Sequence, residues 1–265
     1  MALSGEAVSR MAQTRAVIDG LADDVEPHYG VSTGFGALAT RHIPVELRAQ
    51  LQRSLVRSHA AGSGAEVERE VVRGLMVLRL ATLATGRTGV RPVIAQTYAA
   101  MLNAGITPVV HEFGSLGCSG DLAPLAHCAL AAMGEGPVRL ADGTLTDAAT
   151  ALRDNTIEPV VLREKEGLAL INGTDGMLGM LCLAIWDLRR LFTLADVTTA
   201  MSVEGLLGTD DVFAADLQVL RPQPGQALSA ANIRRVMADS PIRHSHDTDD
   251  CPRVQDAYSL RCAPQ

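Results

Sequence analysis

Aromatic side chains are scarce in this chain: four Phe, three Tyr and one Trp among 265 residues, 3% in all. A core of this size therefore has to be built from Leu, Val, Ala and Met, and the Ala- and Leu-rich segments favour closely packed helices. Positive charge is also in short supply, with 23 Lys and Arg against 30 Asp and Glu and a formal net charge of −7. That balance argues against a nucleic-acid partner, which calls for a basic face. Lysine occurs once, at Lys165, so Schiff-base chemistry has a single candidate. Its place in the charged run Arg163-Glu164-Lys165-Glu166 reads as a helix surface. The five cysteines (Cys118, Cys128, Cys182, Cys251 and Cys262) show no CxxC spacing, which predicts buried thiols in a reducing, cytoplasmic setting. The start, MALSGEAVSRMAQ, lacks the apolar core of a secretory leader. Arg, Gly or Asp interrupts every long apolar stretch, so no membrane span is expected.

What is present is an ordinary globular balance, 47% hydrophobic and 20% charged, with length for one large domain or two smaller ones. Helical periodicity is expected over residues 5–20, from Pro44 to about Ala60, from Glu66 to Thr85 and from Pro92 to Asn103, with glycines closing several of these. Residues 106–110 read as extended. Asp121 is placed to cap a helix running to about Met133, and the Asp142-Gly143 turn predicts a small hairpin within 137–150. A helical pattern from Glu164 to about Thr199 is interrupted at Asn172-Gly173-Thr174, and a further helix is expected near 210–219. The last forty residues read as polar loop, and SLRCAPQ looks like a segment that continues. The fold class expected is mainly α with minor β.

Residues 114–127, GSLGCSGDLAPLAH, crowd a Cys, two Ser and three glycines ahead of a helix. A phosphate loop needs Lys-Ser/Thr after its last glycine, and Asp121-Leu122 stands there instead. An esterase elbow needs Gly-x-Ser-x-Gly, but Gly120 follows Ser119 directly. His127, the candidate base for a cysteine nucleophile, lies two turns along the helix. Two readings remain for Cys118-Ser119-Gly120. One is a tight turn before a helix cap. The other is attack of the unhindered Gly120 nitrogen on the carbonyl of residue 118, with loss of water and of the Ser119 hydroxyl, giving an electrophilic ring that ordinary side chains cannot supply. The cluster His244-Ser245-His246-Asp247, with Asp249, Asp250 and Cys251, offers metal-ligand atoms but reads as a solvated loop, so no metal site is expected.

Five stretches together, in order and spacing, resemble the aromatic amino-acid ammonia-lyases. They are Tyr29-Gly-Val-Ser-Thr-Gly-Phe-Gly36, Ser58-His59-Ala-Ala-Gly62, the Cys118-Ser119-Gly120 segment, Glu166-Gly-Leu-Ala-Leu-Ile-Asn172-Gly-Thr174 and Gln255-Asp-Ala-Tyr258-Ser-Leu-Arg261. The resemblance implies that Cys118-Ser119-Gly120 cyclises autocatalytically to 4-methylidene-imidazol-5-one, with no external cofactor. The Ser58-His59 pair is similar to the histidine-specific branch, which implies L-histidine as substrate and trans-urocanate and ammonia as products. The proton to be removed is weakly acidic and the leaving group poor, so the chemistry calls for both an electrophile and a tuned base. By resemblance Tyr29 is that base; a phenol ionises near pH ~10, so the role requires positive charge or hydrogen-bond donors around it. By the same resemblance Tyr258 lines the electrophile with Gln255 as a polar neighbour in the substrate-binding set, Asn172 stands beside the ring and the substrate's amino-acid head group, and His59 meets the substrate imidazole. Arg261 has the planar fork for a carboxylate.

The chain departs from the family pattern in carrying Cys rather than the commoner Ala at position 118, and in length. The resemblance implies homotetramers about twice this size, with sites built from three subunits and a long C-terminal helical region supplying further residues. It also implies that some N-terminal residues precede this stretch. On this reading residues 1–195 form the N-terminal domain with the electrophile loop, and 196–265 begin the central helical bundle. A related lyase or aminomutase on another aromatic amino acid, a catalytically incompetent fragment and a helical oligomerisation module are the alternatives.

Overall fold

The computed structural model describes residues 1–117, 120–251 and 254–265. Cys118 and Ser119 of the expected ring therefore lie outside the described residues. By internal contacts the chain divides into two units, Met1–Leu183 and Ala184–Gln265.

The first unit holds helices α1 (Gly5–Ala22), α2 (Val45–His59), α3 (Arg69–Ala84), α4 (Pro92–Asn103), α5 (Leu122–Ala132), α6 (Ala148–Asp154) and α7 (Glu166–Ile171), and the opening turns of α8 (Asp175–Gly205). Ser4 starts α1 by accepting the Ala7 N–H at its hydroxyl, the ordinary N-cap bond. Five short strands accompany the helices. β1 (Ser63–Glu66) pairs antiparallel with β3 (His111–Phe113), Ser63 opposite Phe113. β2 (Thr107–Pro108), β4 (Pro137–Arg139) and β5 (Leu145–Asp147) form a second antiparallel sheet in the order β2-β4-β5. The core is aliphatic, as the shortage of aromatics requires: Leu75, Met76, Leu83, Ile94, Met101, Leu125 and Leu152 are sealed around Tyr98, its one fully buried large ring. Helices α2, α5 and α7 pack on one another, and this triple places the segments of interest.

The second unit contains the rest of α8, then α9 (Ala215–Gln218), α10 (Pro224–Met237), α11 (Pro241–His244) and α12 (Tyr258–Arg261). Its core joins Ala200 and Val203 to Phe213, Ala230, Ile233, Met237 and Leu260.

The mainly helical class expected from the sequence is what the chain adopts, and the Asp142-Gly143 hairpin, the extended piece at 107–108 and the break at 172–174 stand where the residues placed them. Several expectations require correction. The helix expected from Glu66 begins at Arg69, and Glu66 instead closes the strand Ser63–Glu66, whose hydrogen-bond partners β3 supplies across the chain. The stretch near 210–219 forms a short 3-10 turn, Asp211–Phe213, followed by the four-residue α9. The last forty residues are not loop throughout: Pro224 at the first helical position opens α10, and Ala230, Ile233 and Met237 recur at helical spacing to fill the second core. Polar residues on the outer face of α10 hid that stripe. Lys165 is not a helix-surface residue; it sits half-buried in a left-handed conformation before α7 and donates from Nζ to Thr88 O at 2.9 Å, and burial lowers its pKa.

Candidate active site

Helix α7 ends at Ile171 and α8 begins at Asp175, and the three residues between them are held by a buried arginine from a different helix. Arg79 of α3 donates from Nη1 to Ala169 O (3.0 Å) and from Nη2 to Asn172 O (3.1 Å), and also pairs with the Asp175 carboxylate. One guanidinium thus satisfies carbonyls left open at the end of α7 while its charge is balanced at the start of α8. Arg79 is 2% exposed, so the pair is buried and neither charge has water as a substitute. The start of α7 is anchored as firmly. Glu166, fully buried, accepts from Arg91 N (3.0 Å), Arg91 Nε (2.9 Å), Arg91 Nη2 (2.7 Å) and Arg163 N (2.8 Å).

This break docks on the residue that closes the glycine loop. Gly120 forms a parallel bridge with Gly173, and the Asp121 N–H donates to Gly173 O at 3.0 Å. A Cβ at Gly173 would collide with the Arg79 guanidinium and with Asp175, which is why a glycine stands there. Asp121 precedes α5 but its carboxylate does not cap that helix, contrary to expectation. Its Oδ1 accepts from Ser115 Oγ (2.5 Å) and its Oδ2 from Met177 N (2.9 Å), in the first turn of α8. The carboxylate therefore ties the loop at 115 to the N-terminal end of α8, where a negative charge is favoured. Within the loop the Leu116 N–H donates to Gly120 O at 2.9 Å, and Gly117 has φ +73°. Leu116 and Gly120, on either side of Cys118 and Ser119, are thus joined directly.

The remaining residues singled out in the first unit lie on separate segments. Tyr29 is 53% exposed; its hydroxyl accepts the Gly36 N–H at 3.2 Å, and its ring meets Phe35 edge-on at 6.0 Å. At the end of α2, His59 Nδ1 lies 2.9 Å from Leu55 O and 3.0 Å from Ser58 Oγ. Facing a carbonyl, Nδ1 is the donor, which makes Nε2 the acceptor nitrogen of that ring. Asn172 is exposed at its side chain while its carbonyl is held by Arg79. Cys128, fully buried in α5, has its thiol pushed up to about 12 by burial, beside Arg79 and Asp175, so it is an inert core thiol.

In the second unit Gln255, Tyr258 and Arg261 form one cluster. The Arg261 guanidinium lies over the Tyr258 ring, 4.1 Å from its centroid. With its amide oxygen turned to that guanidinium, Gln255 accepts from Arg261 Nη2 (2.7 Å) and Nε (3.0 Å). Between them Asp256 is buried and accepts the Thr209 N–H at 2.8 Å, pinning the segment. The nearby His244 Nδ1 faces Asp247 Oδ2 at 3.1 Å, and His246 Nδ1 faces Cys251 Sγ at 3.9 Å. Among the described residues no group of three or more His, Cys, Asp or Glu is placed to hold a metal ion. No helix among them is long and apolar enough to cross a membrane.

Arg79, Asp121 and Asp175 were not singled out as site residues from the sequence. The signal was present in α3, where Arg79 falls on the stripe of Leu75, Met76, Leu80 and Leu83; a charge on an apolar stripe calls for a buried partner.

Comparison with known proteins places this arrangement. The family described as aromatic amino acid lyase matches residues 1–265. A histidine ammonia-lyase of Streptomyces avermitilis is 65% identical over 263 residues, covering 99% of this chain and 51% of that protein. Among solved structures, histidine ammonia-lyase from Trypanosoma cruzi superimposes with a TM-score of 0.85 at 38% identity, covering 100% of this chain and 47% of that one. Tyrosine aminomutase from Streptomyces globisporus does so with a TM-score of 0.89 at 37% identity, over 100% and 53%. The chain spans about half the length of the curated relatives it matches.

Proposed function

The chain belongs to the aromatic amino acid lyase family, and from that premise we propose that it carries the electrophile-forming half of an ammonia-lyase converting L-histidine to trans-urocanate. The observation that carries the reading is the docking of Gly173 on Gly120, which brings the Asn172 break against the loop expected to cyclise. In that closure the Gly120 nitrogen bonds to the carbonyl carbon of residue 118. The carbonyl oxygen leaves as water with the amide protons of Ser119 and Gly120, and the Ser119 hydroxyl leaves as a second water with its Cα proton. The 4-methylidene-imidazol-5-one so formed supplies an electrophile that draws electron density from the substrate.

The chain's own side chains take the remaining roles. Tyr29 accepts the proton from the substrate β-carbon; the electron pair becomes the double bond as the C–N bond breaks and ammonia departs. The Gly36 N–H on its hydroxyl is the type of donor that a phenolate accepts. Arg261 grips the carboxylate, oriented by Gln255 and by the Tyr258 ring beneath it. Tyr258 also lines the electrophile, and Asn172 meets the amino-acid head group. His59 offers Nε2 to the N–H of the substrate imidazole. The histidine assignment is supported by the Ser58-His59 pair and by the name of the 65%-identical relative. Residues beyond this stretch, assembly as a homotetramer and a cytoplasmic location belong to the same proposal, as does a domain boundary near 195.

The test begins with intact mass. The purified chain is expected two waters short of its sequence, and Ser119→Ala at full mass. Joined to the C-terminal half of the Streptomyces relative, the chain is expected to release urocanate from L-histidine, read by its ultraviolet absorbance. Cinnamate or coumarate from the corresponding amino acids, without urocanate, overturns the histidine assignment. A β-amino acid product favours the aminomutase reading that the similarity to tyrosine aminomutase keeps open.

A further inference from the structure

Two histidines without a role so far, His111 and His127, hold the glycine turn that follows Ser58-His59. The Gly62 N–H donates to His127 Nε2 at 3.2 Å, so Nε2 is the unprotonated nitrogen and the proton sits on Nδ1. His111 Nδ1 lies 3.0 Å from Gly64 O, which makes it the donor there. The two rings meet edge-on, with centroids 5.7 Å apart. A Cβ at Gly62 would stand 3.1 Å from His127 Nε2, 3.3 Å from His111 Cβ and 3.4 Å from Phe113 O. The turn is therefore closed from three sides, and a larger residue there would have to displace its neighbours by a few tenths of an ångström. Gly114 packs on the same turn: a Cβ there would meet Ala123 Cβ at 2.8 Å and Gly62 Cα at 3.5 Å. Gly114 opens the loop expected to cyclise, and His127 lies on α5, the helix that leaves it. The turn after His59 thus touches both arms of the loop, Gly114 on the entering side and half-buried His127 on the helix that leaves it.

We propose that His127 is a positioning residue: by accepting the Gly62 N–H it fixes the turn after His59 to α5, and so sets the substrate-imidazole contact against the electrophile-forming loop. Burial, with His111 beside it, holds His127 below the ordinary histidine range, so the accepting neutral form prevails near neutral pH. The proposal rests on the electrophile-forming role given above to residues 118–120. Phenylalanine at this position keeps the ring and its edge contact but accepts no hydrogen bond. Glutamine places an acceptor oxygen at about the same reach.

The test compares His127→Phe and His127→Gln by amide hydrogen exchange over 58–64 and by the fraction of chain two waters short. The Phe variant is expected to exchange Gly62 faster, on the order of tenfold for one lost hydrogen bond, and to cyclise more slowly, with the Gln variant restoring both. Unchanged exchange in the Phe variant, or a Gln variant as impaired as the Phe variant, overturns the proposal. If the unmodified chain is found at full mass, the electrophile reading fails, and the exchange comparison still decides the role of His127. If the Phe variant does not fold, the 15N shifts of His127 in the unmodified chain decide. A bare, hydrogen-bonded Nε2 supports the proposal, and a protonated Nε2 overturns it.

Discussion

At the scale of single residues, the site depends on charges that have no exit to solvent. Arg79 is joined to Asp175 and to two carbonyls in a largely buried place. Removing one member leaves the other unpaired, so Arg79→Met is expected to cost about 3–5 kcal/mol in urea unfolding. Adding Asp175→Asn is expected to return part of that loss, because the stranded carboxylate is gone. A double variant as unstable as the sum of the two singles would show that the pair is not coupled. His59 shows where sequence reading of a residue stops. The expected contact with a substrate imidazole comes from the resemblance of Ser58-His59 to the histidine-specific branch, and only the contact with Leu55 O assigns which ring nitrogen accepts.

Among the elements, the most legible feature was the interruption at Asn172-Gly173-Thr174, since Asn and Gly disfavour the middle of a helix and the flanking periodicity was strong. What it docks against was not legible, because Arg79 and Gly120 are remote in the chain and no local spacing relates them. Asp121 is the converse case. Its position predicts a cap on its own helix, yet tertiary contacts turn the carboxylate to Ser115 and α8. Helix α10 was missed because polar residues separate the few apolar positions that matter, Ala230, Ile233 and Met237. Those positions are expected to carry the second unit. Ile233→Ala, at a fully buried site, should lower its stability by about 2–5 kcal/mol. Denaturant unfolding followed by fluorescence of Trp186, which belongs to that unit, checks this; a loss below ~0.5 kcal/mol would mean that α10 is not part of the core.

For the molecule as a whole, the notable feature of the second unit is the run of large apolar side chains exposed along α8. Ile185, Leu188, Leu191 and Leu194 are exposed, with Trp186 at 63% and Phe192 at 65%. Contiguous surface of this kind marks an interface, so the chain alone is expected to self-associate in sedimentation experiments, and Phe192→Glu with Leu191→Glu to reduce that association. A monodisperse monomer at high concentration would argue against it. The buried pairings of the first unit also impose an order on biosynthesis. Met177 follows its partner Asp121 by 56 residues, and Asp175 follows Arg79 by 96. The ribosome therefore releases the glycine loop well before the segment that backs it, and α3 emerges with its arginine unpaired. On the proposed reading, the contacts that back the loop, Gly173 against Gly120 and the Met177 N–H on Asp121, are complete only when the start of α8 has arrived. A nascent chain interrupted before Asp175 would hold the tripeptide without the partners of Arg79 and Asp121.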